Sequence, residues 1–98
     1  MLSQWSERIK LKFLVAVMPT VHREDGFRLV IYPNDHLPCH VHVFRGDGEV
    51  IIQLGSKTET PLIDQIYGDI SNKDIAKALE IVQANQVKLL ELWKSIHG

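Results

Sequence analysis

The chain has 98 residues and a mass of 11.2 kDa, a length that fits one domain and excludes a second. Apolar residues make up 45% and charged residues 23%, values that exclude disordered, collagenous and membrane-spanning classes. Eleven basic and twelve acidic side chains give a net charge of -1, so the chain lacks the overall electrostatic signature of a nucleic-acid-binding protein. The single cysteine, Cys39, has no internal disulfide partner, which favours a reducing cytoplasm.

The N-terminal segment, residues 1–17, differs from the rest of the chain. It leads into the apolar run IKLKFLVAVM at residues 9–18, whose periodicity fits both a helix and a strand. We predict a short helix over residues 3–14 that continues as an extended segment before Pro19. Because the run is too apolar to remain in water, we expect a second copy to cover it, which predicts a homodimer with exchanged N-terminal segments. The alternative is a helix that packs against the C-terminal helix of the same chain.

An alternating strand pattern covers residues 27–32. Phe27, Leu29 and Ile31 alternate with Arg28, Val30 and Tyr32. Residues typical of turns flank the segment, Asp25-Gly26 before it and Pro33-Asn34 after it. The pattern predicts a strand between two turns.

The next two alternating segments, residues 40–45 and 49–54, predict a hairpin. We place its two-residue turn at Asp47-Gly48, since Asp and Gly tolerate the positive φ values of tight turns. That register pairs Val43 with Ile52 on an apolar face directed towards the core. The opposite face then carries His40, His42, Phe44, Ile51 and Gln53.

Residues 72–97 are predicted to form one long helix. Ser71 is its N-cap, and Asp74 follows three residues later, which makes a pair similar to a capping box. An apolar stripe at helical spacing includes Trp93, which we assign to the core. Such a helix would be about 39 Å long at 1.5 Å per residue, so one of its faces must lie along the sheet.

The densest polar cluster is NDHLPCHVHV at residues 34–43, which holds three of the five histidines. His40 and His42 point the same way because strand side chains repeat every two residues. Tyr32 and His36 reach the same face from the preceding strand and loop. The candidate catalytic residues are His40, His42 and Tyr32. The candidate binding residues are His36, Asp35, Gln53 and Arg45.

Three interpretations of this face remain open. Imidazoles bind zinc, nickel and copper, so His36, His40 and His42 could hold a divalent transition metal such as zinc, with Asp35 as an alternative third ligand. Without any cofactor, which is what we expect, the strand histidines could act as general acid and base, with Tyr32 and an arginine holding a phosphate. The third interpretation is that the histidines are half-buried strand residues that bond to the backbone.

Four motifs in a fixed order resemble those of a known family. In chain order they are MPTV at 18–21, DGFRLVIY at 25–32, NDHLPCHVHV at 34–43 and GDGEV at 46–50. With the long helix after them, they are similar to the small bacterial proteins grouped as domain of unknown function 4160, over residues 18–98. The resemblance implies a cytoplasmic protein encoded beside another short protein and therefore suspected of belonging to toxin–antitoxin modules. Family members usually have a proline in place of Cys39 and begin near the position of Met18.

The sequence therefore predicts a single α+β domain over residues 18–98, preceded by an extension, residues 1–17. A small antiparallel sheet over residues 19–60 packs against the long C-terminal helix. The leading hypothesis is a toxin–antitoxin or regulatory component that acts through a small protein encoded by an adjacent gene, without membrane contact. RNA is a candidate target, although the net charge does not indicate nucleic acid. The alternatives are a non-catalytic interaction module and a metal-binding or hydrolytic enzyme that uses His36, His40 and His42.

Overall fold

The computed structural model describes residues 19–98, which form one antiparallel sheet followed by two helices. The five strands are neighbours in chain order, which confirms the predicted α+β class. The strands are β1 (Thr20–Glu24), β2 (Phe27–Val30), β3 (His40–Arg45), β4 (Gly48–Gln53) and β5 (Leu62–Tyr67). The helices are α1 (Asn72–Ala84) and α2 (Gln86–His97). The predicted N-terminal helix and the exchanged segment lie outside the described residues.

The first hairpin has its tight turn at the predicted position. Asp25 and Gly26 adopt φ values of 51° and 84°, as a two-residue hairpin turn with two positive-φ residues requires. β2 ends at Val30, two residues before the predicted end. The backbone N–H of Tyr32 donates to the Asp35 carboxylate at 2.9 Å, so the chain has left the sheet there and begun the loop that leads to β3.

The core lies between one face of the sheet and the two helices. Val43 of β3 and Ile52 of β4 are fully buried on the face that the alternation predicted. α1 covers them with Ala78, Ile81 and Val82, while α2 adds Leu89 and Trp93. Burying one such aliphatic side chain stabilises the fold by about 1.5–3 kcal/mol.

The predicted register of the β3–β4 hairpin is wrong by two residues. Arg45 pairs with Gly48, so the turn consists of Gly46 and Asp47, and every β4 partner comes two residues earlier than predicted. Gly46 takes the positive φ of 56°. Gly48 serves another purpose, because a Cβ there would lie 2.5 Å from the Ile70 Cβ. A shift of two leaves every side chain on its predicted face, since strand side chains alternate with a period of two.

The predicted single helix is also wrong, because two helices meet at Asn85. Its backbone leaves the helical region at φ -113° and ψ 15°, and its side chain donates to the Ile81 carbonyl at 2.8 Å. Short polar side chains compete in this way with helical backbone hydrogen bonds. The next side chain, Gln86, then ties α2 to the loop after β4 by donating to the carbonyls of Leu54, Ser56 and Glu59.

α1 begins where the capping signals predict. The Ser71 hydroxyl accepts a hydrogen bond from the Asp74 backbone N–H at 3.1 Å, which satisfies one of the free donors of the first turn. Among residues 19–98, no helix is long and apolar enough to cross a membrane.

β1 is tied to α2 by a short chain of polar contacts. Lys88 of α2 donates to His22 Nδ1 at 2.9 Å, and His22 Nε2 donates to the Glu24 carboxylate at 2.9 Å. The hydrogen bond from His22 lowers the pKa of Glu24 below its usual range. These contacts hold the β1 edge of the sheet near the second helix.

β5 extends the sheet beyond residue 60, where we predicted its end. Ile52 pairs with Ile63 and Ile51 pairs with Gln65, so Asp64 is an extra residue in β5 without a partner in β4. Such a bulge breaks the period of two that a sequence-based strand prediction requires. All six residues of β5 are exposed.

Candidate functional site: a histidine–carboxylate cluster

The cluster forms where β3 begins, on the sheet face opposite the core. His40 and His42 are alternate residues of β3, and the loop between β2 and β3 brings Asp35 against them. Their side chains are 17%, 12% and 13% exposed, so the cluster is largely shielded but keeps contact with solvent. This agrees with the predicted semi-exposed histidine face.

The Nε2 atoms of the two histidines converge on one carboxylate. His42 Nε2 lies 3.3 Å from both oxygens of Asp35, and His40 Nε2 lies 3.5 Å from Oδ1. One ligand atom from each of the three residues can be chosen so that all lie within 4.8 Å of one another.

The Nδ1 atoms of both histidines are held by acceptors on the other side of each ring. His40 Nδ1–H donates to the Pro38 carbonyl at 2.9 Å, and His42 Nδ1–H donates to Glu49 Oε2 at 2.7 Å. A neutral imidazole has one N–H and one lone pair, so each Nε2 directs its lone pair towards Asp35. With both rings neutral, three electron-pair donors face one another, an arrangement that suits a cation.

The separations between Asp35 and each of the two histidines suit a small metal ion. Four ligands placed tetrahedrally at the usual zinc distances of about 2.0–2.2 Å are separated by about 3.3–3.6 Å. The separations between each histidine Nε2 and Asp35, 3.3 Å and 3.5 Å, lie in that interval. Metal-binding histidines almost always donate their other ring N–H to a carboxylate or a backbone carbonyl, as both of these do.

Aromatic rings hold the histidines in place. The His42 ring packs edge-on against Tyr32 at 4.9 Å between centroids and against His40 at 5.1 Å. The His40 ring in turn lies 5.3 Å from Trp93 of α2. Because these contacts restrict ring rotation, the direction of each Nε2 is determined before any ligand binds.

Of the other predicted site residues, Gln53 lies next to the cluster, whereas His36 and Arg45 do not belong to it. Gln53 is the cross-strand partner of His40. His36 is exposed and does not belong to the group of possible metal ligands found in the described residues. Arg45 lies at the far end of β3, where it donates to the Asp25 carbonyl at 2.9 Å and stacks over Phe27.

Sequence reasoning missed Glu49 and the contact with Trp93. The predicted register paired Glu49 with Gly46, next to the hairpin turn, whereas the observed register places it opposite Phe44, within reach of His42. A turn at Gly46 and Asp47 would have revealed this neighbour. Nothing in the local pattern signals the Trp93 contact, because it joins β3 to a helix at the other end of the chain.

The comparisons with known proteins identify a family. The family model described as "Domain of unknown function (DUF4160)" matches residues 26–94, so the chain belongs to this family. No curated protein and no solved structure matches the chain.

Proposed function

We propose that this member of the domain of unknown function 4160 family binds a divalent transition metal, zinc first, through Asp35, His40 and His42, and hydrolyses phosphate esters. The observation that carries the proposal is the convergence of two histidine Nε2 atoms on Asp35, at 3.5 Å and 3.3 Å, with both Nδ1 atoms already occupied. Three protein ligands with a fourth position open are typical of catalytic zinc sites.

Each residue of the cluster has a distinct part in this proposal. Asp35 supplies one ligand oxygen, while its other oxygen is held by the Tyr32 N–H. Glu49 keeps His42 in the tautomer whose Nε2 is free to bind. When bound, the ion would polarise the phosphate ester and lower the pKa of a water molecule in the fourth position.

A phosphate ester is the favoured substrate class because an arginine lies on the same sheet face. Arg28 of β2 is the cross-strand partner of Phe44, and its guanidinium stacks over that ring at 4.9 Å. Phe44 is two residues from His42 on β3, and diagonal neighbours on one face are about 7–8 Å apart. A guanidinium held on this face can bind phosphate oxygens while the ester linkage lies at the cluster.

The second candidate is metal-free acid–base catalysis at the same residues. It is supported by the position of His42 between two carboxylates, Asp35 at 3.3 Å and Glu49 at 2.7 Å, a setting that suits an imidazolium donating from both nitrogens. As an imidazolium, His42 would protonate a leaving group, and Tyr32 would orient the substrate.

Calorimetric titration of the full chain with zinc tests the first proposal. We expect one zinc ion per chain for the native protein, loss of binding in Asp35→Ala and His42→Ala, and unchanged binding in His36→Ala, the matched control. Hydrolysis of bis-p-nitrophenyl phosphate should require zinc and fall at least about tenfold in Arg28→Ala. Failure of the native protein to bind zinc would overturn the proposal. Hydrolysis that persists with a chelator would support the acid–base alternative.

At the level of the cell we propose a role in a cytoplasmic toxin–antitoxin or regulatory module, with a small protein from an adjacent gene as partner and RNA as the phosphate ester. The sequence resemblance supports this role. Expression of the native protein without its partner should slow growth, and the double variant His40→Ala, His42→Ala should relieve that slowing. The comparison requires equal soluble abundance, since destabilisation alone lowers cellular levels. Unchanged growth with the native protein would contradict the proposal.

A further inference from the structure

β5 ends the described sheet with apolar side chains on both of its faces. Leu62 and Tyr67 are 62% and 50% exposed, and Ile63 and Ile66 are 39% and 46% exposed. Its outer backbone groups have no neighbouring strand among residues 19–98. Natural proteins usually protect such an edge, because an exposed apolar edge strand pairs readily with another chain.

We propose that β5 pairs antiparallel with β5 of a second copy of this chain across a two-fold axis. The two five-stranded sheets then form one continuous sheet. The axis passes between Asp64 and Gln65, so that Ile63 lies opposite Ile66 of the second copy and Leu62 lies opposite Tyr67 of the second copy. The histidines of the cluster lie on β3, on the other side of β4, and the proposal does not depend on the cluster.

The bulge at Asp64 makes this register self-consistent. Residues that face each other across an antiparallel pair must point to the same side of the sheet. Ile63 and Ile66 both lie on the core side, since their β4 partners Ile52 and Val50 do. In a regular strand, residues three positions apart point to opposite sides of the sheet. The extra residue, Asp64, brings Ile63 and Ile66 to the same side.

Other two-fold registers near the centre of β5 are excluded by the same criterion. An axis through Asp64 would place Ile63 opposite Gln65, whose β4 partner Ile51 belongs to the other face. An axis through Gln65 would place Ile63 opposite Tyr67, with the same mismatch. Only an axis that passes between Asp64 and Gln65 pairs apolar side chains with apolar side chains on both faces of the sheet.

The charges of β5 also suit a second copy of this chain. Asp64 is its sole charged residue, and in the proposed register it faces Gln65 of the second copy, not another carboxylate. A partner bearing a strongly charged strand would instead lose solvation of its charges against Ile63 and Ile66. Closed two-fold dimers are the commonest form of self-association, and a self-complementary strand of this kind produces one.

Light scattering on the full chain tests the association. The native protein should have twice the chain mass of 11.2 kDa, and Ile66→Lys should raise the dimer dissociation constant roughly tenfold or more. Val87→Lys is the matched control, because Val87 is 57% exposed on α2 and should leave the dimer intact. A native monomer at 100 micromolar, or a dimer unaffected by Ile66→Lys, would overturn the proposal. So would a monomer that pairs only with a different protein.

Cysteine cross-linking tests the register in a Cys39→Ser background. Opposite residues in antiparallel strands have Cα atoms about 4.5–5.5 Å apart, within the range of a disulfide. A mixture of Ile63→Cys and Ile66→Cys chains should therefore cross-link on oxidation, whereas each variant alone should not. Cross-linking of either variant alone, without the mixture, would contradict the register even if the dimer forms.

Discussion

Glu49 determines which nitrogen of His42 faces Asp35. Its carboxylate accepts the Nδ1–H at 2.7 Å, so the neutral ring keeps its lone pair on Nε2. Metal-binding histidines commonly have such an outer partner, which fixes the orientation of the ring. Glu49, which holds the far side of the His42 ring, is thus as much part of the site as the three proposed ligands.

Replacing Glu49 by Gln should weaken zinc binding without removing a ligand. We expect the zinc dissociation constant to rise about 10–100-fold, since loss of an outer hydrogen-bond partner typically has that effect. Competition with a chromophoric chelator measures it. Glu91→Gln, an exposed change on α2, is the control. Equal affinities of the native protein and Glu49→Gln would show that Glu49 does not orient His42.

Val41 and His42 are adjacent residues that should respond in opposite ways to substitution. Val41 is fully buried in the core, whereas His42 belongs to the other face. Val41→Asp places an unpaired carboxylate in the core at a cost of several kcal/mol, a large part of the roughly 5–15 kcal/mol that holds such a domain together. His42→Ala should fold normally.

Thermal unfolding followed by circular dichroism compares the two variants. A loss of about 1 kcal/mol lowers the midpoint by roughly 4–8 °C in a domain of this size, so Val41→Asp should show no cooperative transition at all. If His42→Ala unfolds as readily as Val41→Asp, this prediction is wrong, and His42 itself stabilises the fold.

At the scale of elements, the alternation in the sequence predicted which residues face the core, but not where the strands pair. Two turns, Gly46-Asp47 and Asp47-Gly48, satisfy the same local chemistry, and both keep Val43 inside. What distinguishes them is the approach of Ile70 to Gly48, a contact between distant segments. β5 was missed for a related reason, because the bulge at Asp64 removes the period of two.

Most of the candidate site could be predicted because it lies in one short segment. His40 and His42 share a face by strand geometry alone, and Asp35 precedes them closely enough for a loop to return it. To predict the contact of Glu49 with His42, one needs the correct hairpin register. To predict the contact of Trp93 with His40, one needs the packing of α2. Local sequence therefore pointed to the two histidines and to Asp35 as an alternative to His36, while the groups that orient the rings depend on tertiary structure.

The close approach at Gly48 predicts a steric cost for any larger residue. In Gly48→Ala the new Cβ would lie 2.5 Å from the Ile70 Cβ and 2.7 Å from the Asp69 carbonyl oxygen. Overpacking of this kind costs about 1–3 kcal/mol. Gly46→Asn is the matched control, because Asn tolerates the positive φ there and a Cβ at that position meets no atom within 4 Å. Urea unfolding should therefore show a clear loss for Gly48→Ala and a smaller one for Gly46→Asn.

At the scale of the whole molecule, three parts of the described sheet can be distinguished. One face packs on the helices, the other carries the histidine–carboxylate cluster, and β5 forms the outer edge. β4 separates β5 from the strand that carries His40 and His42. Tyr67 of β5 is the cross-strand partner of Glu49, whereas Ile66 pairs with Val50 on the core side. Changes at Ile66 should consequently act on assembly alone, since sites more than about 7–10 Å apart with no shared partners usually behave independently.

The two proposals can therefore be separated with one variant. Ile66→Lys should produce a monomer that binds zinc as tightly as the native dimer, because Ile66 lies on the core side of the sheet and pairs with Val50, away from the cluster. Zinc titration of the protein at a concentration where light scattering shows a monomer measures this. If the monomer lost zinc binding while retaining its native circular dichroism, the second copy would have to complete the site, and the ligand set of Asp35, His40 and His42 would be insufficient. If it kept zinc binding, the metal site would be a property of the single chain, and the dimer would serve another purpose.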